Sequence, residues 1–135
     1  MEWLEMDTFI KVQVEKSEID KFEHVNNGAY VNYLEKGRRH WYPEAGLSVD
    51  ELSNRRIGTV ILRLKILYKK ELTLGEIVHG RTTPAKLGSN IFVFKQDILN
   101  KENEVVTEAT VLSVMVDSKT KKSITVADEI AKHFK

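Results

Sequence analysis

Hydrophobic and polar positions follow two periods along the chain. From Thr8 to Glu15 they alternate, with Ile10, Val12 and Val14 against Lys11, Gln13 and Glu15, which is the period of a half-buried strand. From Asn27 to about Tyr42 the period lengthens, and Tyr30, Tyr33, Leu34, Gly37 and Trp41 converge on one side, as an amphipathic helix requires. About 16 residues make that helix long enough to cross a sheet. Pro43 and Gly46 are expected to end it, and Gly37 on the apolar face predicts close approach to a strand. Glu35 and Arg38 flank the stripe at three-residue spacing and are expected to pair on the helix surface.

Beyond the helix, Ser48-Val-Asp-Glu51 is a capping-box pattern that predicts a short second helix through about Asn54. The rest reads mostly as strand. Gly58 to Tyr68 sets Val60, Leu62, Leu64, Ile66 and Tyr68 on one face and Ile61, Arg63, Lys65 and Leu67 on the other. After a turn near Thr73-Leu-Gly75, Glu76 to Ala85 and Asn90 to Leu99 predict a hairpin, with Gly88 free to take a positive φ in its turn. Asn100 to Asn103 makes another turn. Val105 to Val116 reads as a long strand with little polar alternation, as expected where both faces are covered. Thr125 is expected to open a short helix with Val126, Ile130 and Phe134 on one side and Asp128 at the capping-box position. One apolar helix among five strands points to an α+β fold, a curved antiparallel sheet wrapped around one long central helix.

Between the first strand and the long helix, Lys16 to Asn26 has no sustained period and is dense in polar groups. Asp20, His24, Asn26, Asn27 and Gly28 gather at a helix start, where backbone N–H groups lack intrahelical partners and the helix dipole is positive. A thioester carbonyl that becomes negative in its transition state suits that place. The plainer readings are that Asn26 or Asn27 is an ordinary N-cap and that Asp20 and His24 are solvated loop residues.

The spacing of Asp20, His24, Val25, Asn26, Asn27 and Tyr30 resembles the active-site signature of hotdog-fold acyl thioesterases of the 4-hydroxybenzoyl-CoA thioesterase type, and it also resembles acyl-carrier-protein thioesterases. Element order extends the resemblance from Phe9 to Asp117. The resemblance implies a hotdog fold that hydrolyses acyl thioesters carried on coenzyme A or acyl carrier protein, without a cofactor. Asp20 would be nucleophile or general base, and the N–H of Asn27 or Gly28 would meet the oxyanion. His24 would orient the thioester, polarise its carbonyl or position water, while Asn26 or Asn27 would hold the loop or the substrate carbonyl. It also implies a homodimer joined sheet edge to sheet edge, or a homotetramer, with active sites between subunits. The chain departs from the pattern at Phe22, where plant acyl-carrier-protein thioesterases have Asn, and at Glu23, where many bacterial relatives have Gly. Glu35 is the alternative acid, since another branch uses a carboxylate from the long helix. A non-catalytic acyl-thioester-binding module and a hotdog dehydratase or hydratase are the rival readings.

Composition narrows the partners. At 135 residues the chain reads as one domain over 1–135. The formal charge of +1, from 21 basic and 20 acidic residues, argues against a nucleic-acid partner. No cysteine is present, which removes disulfides, zinc-thiolate sites and a thiol nucleophile and makes a cytoplasmic location the default. Met1 to Asp7 carries acidic residues and no continuous apolar segment, so neither a signal peptide nor a membrane span is expected there. His40, His79 and His133 form no metal-binding spacing with His24 and read as surface or packing residues. Lys69, Lys70, Arg81, Lys86, Lys121 and Lys122 are candidate contacts for coenzyme A phosphates. The acyl pocket is expected to be apolar with aromatic walls, built around Tyr30, Tyr33, Leu34 and Trp41.

Overall fold

The computed structural model describes residues 6–134. Its strands are β1 (Thr8–Gln13), β2 (Ile57–Tyr68), β3 (Ile77–Leu87), β4 (Ile91–Leu99) and β5 (Val105–Asp117). They form one antiparallel sheet in the order β1-β3-β4-β5-β2. The three α-helices are α1 (Asn27–Ala45), α2 (Val49–Asn54) and α3 (Asp128–Ala131). α1 packs across β1, β3 and β4, so β2 is left as the far edge, paired only through β5.

α1 is fixed at both ends. Asn26 caps it, its Oδ1 accepting from the Ala29 N–H at 3.0 Å, and Gly46 closes it at φ 110°, a conformation open to glycine at no Cβ cost. Pro43 does not end the helix. It sits inside the last turn, and the Gly46 N–H turns back onto its carbonyl. Proline's steric restriction falls on the residue before it and on one lost N–H, which a final turn closed by Gly46 accommodates.

Two apolar clusters lie beneath α1. Tyr30, Tyr33 and Leu34 pack with Val14, Leu72, Val78, Ile98 and Val106 under its first half. Trp41 and Ala45 pack with Phe92, Phe94, Met115, Ile130 and Phe134 under its second. Each fully buried side chain of this size contributes about 1.5–3 kcal/mol. Between the clusters the expected close approach occurs at Gly37, where an added Cβ would lie 2.8 Å from Thr82 Oγ1 and 3.0 Å from Gln96 Nε2.

Four local expectations are corrected. In β2 the alternation slips at a bulge between Ile61 and Arg63. Ile61 opposes buried Ser113 and Leu64 opposes buried Val111, so the helix-facing set is Thr59, Ile61, Leu64, Ile66 and Tyr68; Val60 lies on the other face. Gly88 does not take a positive φ; it is small because a Cβ there would stand 2.7 Å from Ile91 Cγ1. In the turn before β3 it is Gly75 that takes a positive φ, at 78°. α3 begins at Asp128 with no side-chain cap, two residues later than a Thr125 cap requires, although Val126, Ile130 and Phe134 are all buried. Lastly, Glu35 pairs with Arg39 instead of Arg38, because Arg38 turns inward.

Candidate active site

The loop before α1 is a small hairpin. Ile19 and Val25 form a bridge, the Asp20 N–H donates to the His24 carbonyl at 2.8 Å, and the Glu23 N–H donates to the Asp20 carbonyl at 3.0 Å. Asp20 also organises the tip with its side chain, since Oδ1 accepts from the N–H of Phe22 at 2.9 Å and of His24 at 3.1 Å. That is the Asx-type turn a short acceptor side chain favours. Among the described residues the second carboxylate oxygen of Asp20 takes no hydrogen bond. Glu23 completes the tip at φ 65°, a left-handed conformation that costs a residue with a Cβ about 1 kcal/mol. The position where many relatives carry Gly is thus one where Gly would be unstrained.

The loop is tied to α1 from below. The Asn26 N–H donates to the Glu18 carbonyl at 2.8 Å, and the Tyr33 hydroxyl donates to Glu18 Oε1 at 2.6 Å. With Asn26 spent as the cap, the N–H groups of Asn27 and Gly28 open the helix with no intrahelical carbonyl to reach. A Cβ on Gly28 would lie 3.2 Å from the capping oxygen of Asn26.

Loop and helix start form one wall of a cleft of about 510 Å³, which Asp20, His24, Asn26, Asn27 and Tyr30 line. The opposite wall is the segment that leaves β2, from Tyr68 to Glu71. Buried Tyr30 meets Tyr68 edge to face, with ring centroids 5.2 Å apart, and burial pushes the Tyr30 hydroxyl above its ordinary pKa despite a backbone contact at Leu72. His24 Nε2 lies 3.5 Å from Glu71 Oε2, with both side chains largely exposed. Lys69 and Lys70 stand at the rim, paired with Glu108 and Glu104.

Asp20, His24, Asn26, Asn27 and Gly28 therefore meet at one helix start. Glu35 does not join them; it lines a separate cavity with Arg38 and Arg39. Of the basic candidates, Lys69 and Lys70 reach the cleft, whereas Arg81 pairs with Asp97. His40 lies near Glu44, and His133 sets its ring against Trp41. Glu71 is the site residue that the sequence pattern does not single out; its signal is its place directly after the two lysines. Among the described residues no group of three or more His, Asp or Glu is placed to hold a metal ion, and no helix is long and apolar enough to cross a membrane.

A strand, a cleft-forming loop and a long helix laid on the sheet define a hotdog thioesterase, and residues 14–134 match the family model described as the thioesterase-like superfamily. The chain belongs to that family, whose enzymes hydrolyse thioesters. The long-chain acyl-CoA thioesterase FadM of Escherichia coli (strain K12) is 27% identical over 126 residues, covering 93% of each chain. The chloroplastic acyl-acyl carrier protein thioesterase ATL3 of Arabidopsis thaliana is 28% identical over 115 residues, covering 82% of this chain and 58% of that protein. Among solved structures, a DHNA-CoA thioesterase from Staphylococcus aureus superposes with a TM-score of 0.82 at 23% identity, over 88% of this chain and 80% of that one.

Proposed function

We propose that the chain hydrolyses acyl-CoA thioesters at the start of α1, with Asp20 as the reacting carboxylate. The observation that carries this is the Asp20 side chain on the wall of the cleft that Asn27 also lines, held by one oxygen at the loop tip while the other takes no hydrogen bond among the described residues. The thioester carbonyl sits against the Asn27 and Gly28 N–H groups, which hold the negative charge that develops on its oxygen. The free oxygen of Asp20 either takes a proton from a water that attacks the carbonyl carbon or attacks that carbon itself to give a mixed anhydride that water then opens. In both routes the C–S bond breaks, the thiolate leaves and takes a proton, and the products are a carboxylic acid and a free thiol. His24, held near Glu71, orients the thioester and the water.

Coenzyme A is the carrier that FadM's activity supports, with acyl carrier protein the second carrier on the strength of ATL3. Lys69 and Lys70 at the rim suit its phosphates. A second copy completes the enzyme by pairing along β2, whose outer edge is open and bears exposed Val60, Ile61, Leu62 and Leu67. The location is cytoplasmic. The test is incubation of the purified protein with acyl-CoAs from acetyl to palmitoyl and benzoyl, following free thiol. Release with kcat/KM rising from acetyl to a definite chain length is expected; binding of every acyl-CoA without thiol release would make the chain a binding module instead.

A further inference from the structure

α1 buries one charge that the reaction above does not use. Arg38 is 8% exposed, and its Nη1 donates to Gln96 Oε1 at 3.0 Å. Gln96 presents that oxygen because its amide nitrogen is committed to the Leu34 carbonyl and Thr82 Oγ1, both at 2.9 Å. Among the described residues no carboxylate pairs with Arg38, although burial disfavours its charge and lowers its pKa. A buried guanidinium is ordinarily paired, and Gln96 occupies one of its five N–H groups.

Arg38 lines a cavity of about 260 Å³ between α1 and the helix-facing side of β2, to which Tyr42, Thr59 and Ser113 add hydroxyls. Glu35 is the cavity's one carboxylate, and Arg39 holds it. Two guanidiniums against one carboxylate leave a single positive charge, and of the hydroxyls around it Thr59 and Tyr42 bond to each other while Ser113 can donate. The cavity is suited to one anion.

Its place along β2 decides whose anion. The cavity lies at the Thr59 and Ile61 end of the strand and the cleft at the Tyr68 end; within one chain Asn27 and Arg38 stand roughly 16 Å apart along α1, a span whose sheet-facing side is filled by buried Tyr30, Tyr33 and Leu34. Full-length antiparallel pairing of two β2 edges would set residue 57 of one copy beside residue 68 of the other. Thr59 and Ile61 then come within roughly 7–13 Å, along the strand, of the end of the partner subunit's cleft. Thr59, Ile61 and Tyr68 all face the α1 side of the sheet, so cavity and cleft open on the same side.

We infer that Arg38 is a specificity residue acting in trans, taking the terminal carboxylate of a medium-length acyl group whose thioester lies in the partner subunit's cleft. This rests on the thioesterase reading and on pairing through β2. It gives the otherwise apolar acyl pocket one cation at its far end, so acyl groups that end in a carboxylate are favoured over alkanoyl groups of equal length.

The experiment compares kcat/KM for adipyl-, suberyl- and sebacyl-CoA with hexanoyl-, octanoyl- and decanoyl-CoA. The wild type should prefer one carboxyacyl member over its alkanoyl counterpart, and Arg38→Met should lower that ratio about tenfold or more, with Arg38→Lys between the two. A 1:1 mixture of Asp20→Asn and Arg38→Met chains, unfolded and refolded together, should recover on the carboxyacyl substrate about a quarter of the wild-type rate, since half of the pairs are mixed and each holds one intact cleft. Mixing with no recovery overturns the action in trans. A wild-type ratio at or below one, or equal losses on both substrate series in Arg38→Met and Arg38→Lys, overturns the carboxylate site. If no acyl-CoA of either series is hydrolysed by the wild type, it is the thioesterase reading that fails.

Discussion

The hydroxyl of Tyr33 donates to Glu18 Oε1 at 2.6 Å, joining the second turn of α1 to the root of the loop that carries Asp20. Burial and the neighbouring carboxylate both push the Tyr33 hydroxyl above its ordinary pKa, so the bond has a neutral donor and a charged acceptor. Tyr33→Phe should cost about 1.5–3 kcal/mol, the range for a hydrogen bond to a charged group. It should also lower kcat more than it raises KM, because the loop loses its anchor while the cleft walls remain. Urea unfolding alongside steady-state kinetics checks both, and an unchanged kcat would free the loop from this bond.

Asp20→Asn keeps the shape of the turn, since its amide oxygen still accepts from Phe22 and His24. The anionic oxygen is lost. The variant should fold and elute as the wild type does, while its turnover of the best acyl-CoA falls by about 100-fold or more, the scale of a lost general base. Near-normal turnover would shift the chemistry to another acid, with Glu35 the first to examine.

Glu23→Gly relieves a left-handed residue at φ 65° while adding freedom to the unfolded chain. The two effects are about 1 kcal/mol and 0.5–1 kcal/mol respectively, so thermal stability should be unchanged or slightly raised. A loss above about 1 kcal/mol in the melting experiment would mean that the Glu23 side chain supports the loop.

Activity should survive prolonged treatment with a metal chelator. Negative charge in the reaction has backbone donors to meet it, and the residues lining the cleft include one histidine. Loss of thiol release that one added divalent ion restores would refute this.

Alkali should unfold the protein in a range set by its tyrosines. Burial raises the hydroxyls of Tyr30, Tyr33 and Tyr42, the last to about 12. Unfolded tyrosines ionise near pH ~10. The folded state therefore holds more protons above that pH, and stability present below it declines as pH rises through the folded values. Denaturation midpoints should be flat from about pH 7 to 9 and drop above about pH 10, with a shallower drop in Tyr42→Phe.

Much of this was legible in the sequence because its periods are long and consistent. The alternation of β1, the helical stripe of α1 and the spacing from Asp20 to Asn27 each rest on local geometry, and the loop motif lands at one helix start. What was not legible depends on the third dimension. The bulge at Ile61 reverses half of β2 without any mark in an alternating run. Arg38 and Arg39 stand three and four residues from Glu35, and spacing alone does not say which turns inward. Glu71 meets His24 only because the sheet order carries β2 to the far edge and returns its end beside the loop.

The contact at Gly37 makes α1 a beam resting on a fulcrum. Thr82 and Gln96 crowd the helix at its middle, where Gln96 Nε2 donates to the Leu34 carbonyl, and the proposed donors at Asn27 lie about 15 Å along one arm, with Trp41 and Ala45 on the other. A tilt of about 4° over that point moves the donors by about 1 Å, a displacement that can cost about 100-fold in rate. Side-chain volume around Trp41 should thereby bear on the position of the proposed donors, and substitutions in the Phe92, Phe94 and Phe134 cluster are expected to change turnover at a site they never touch.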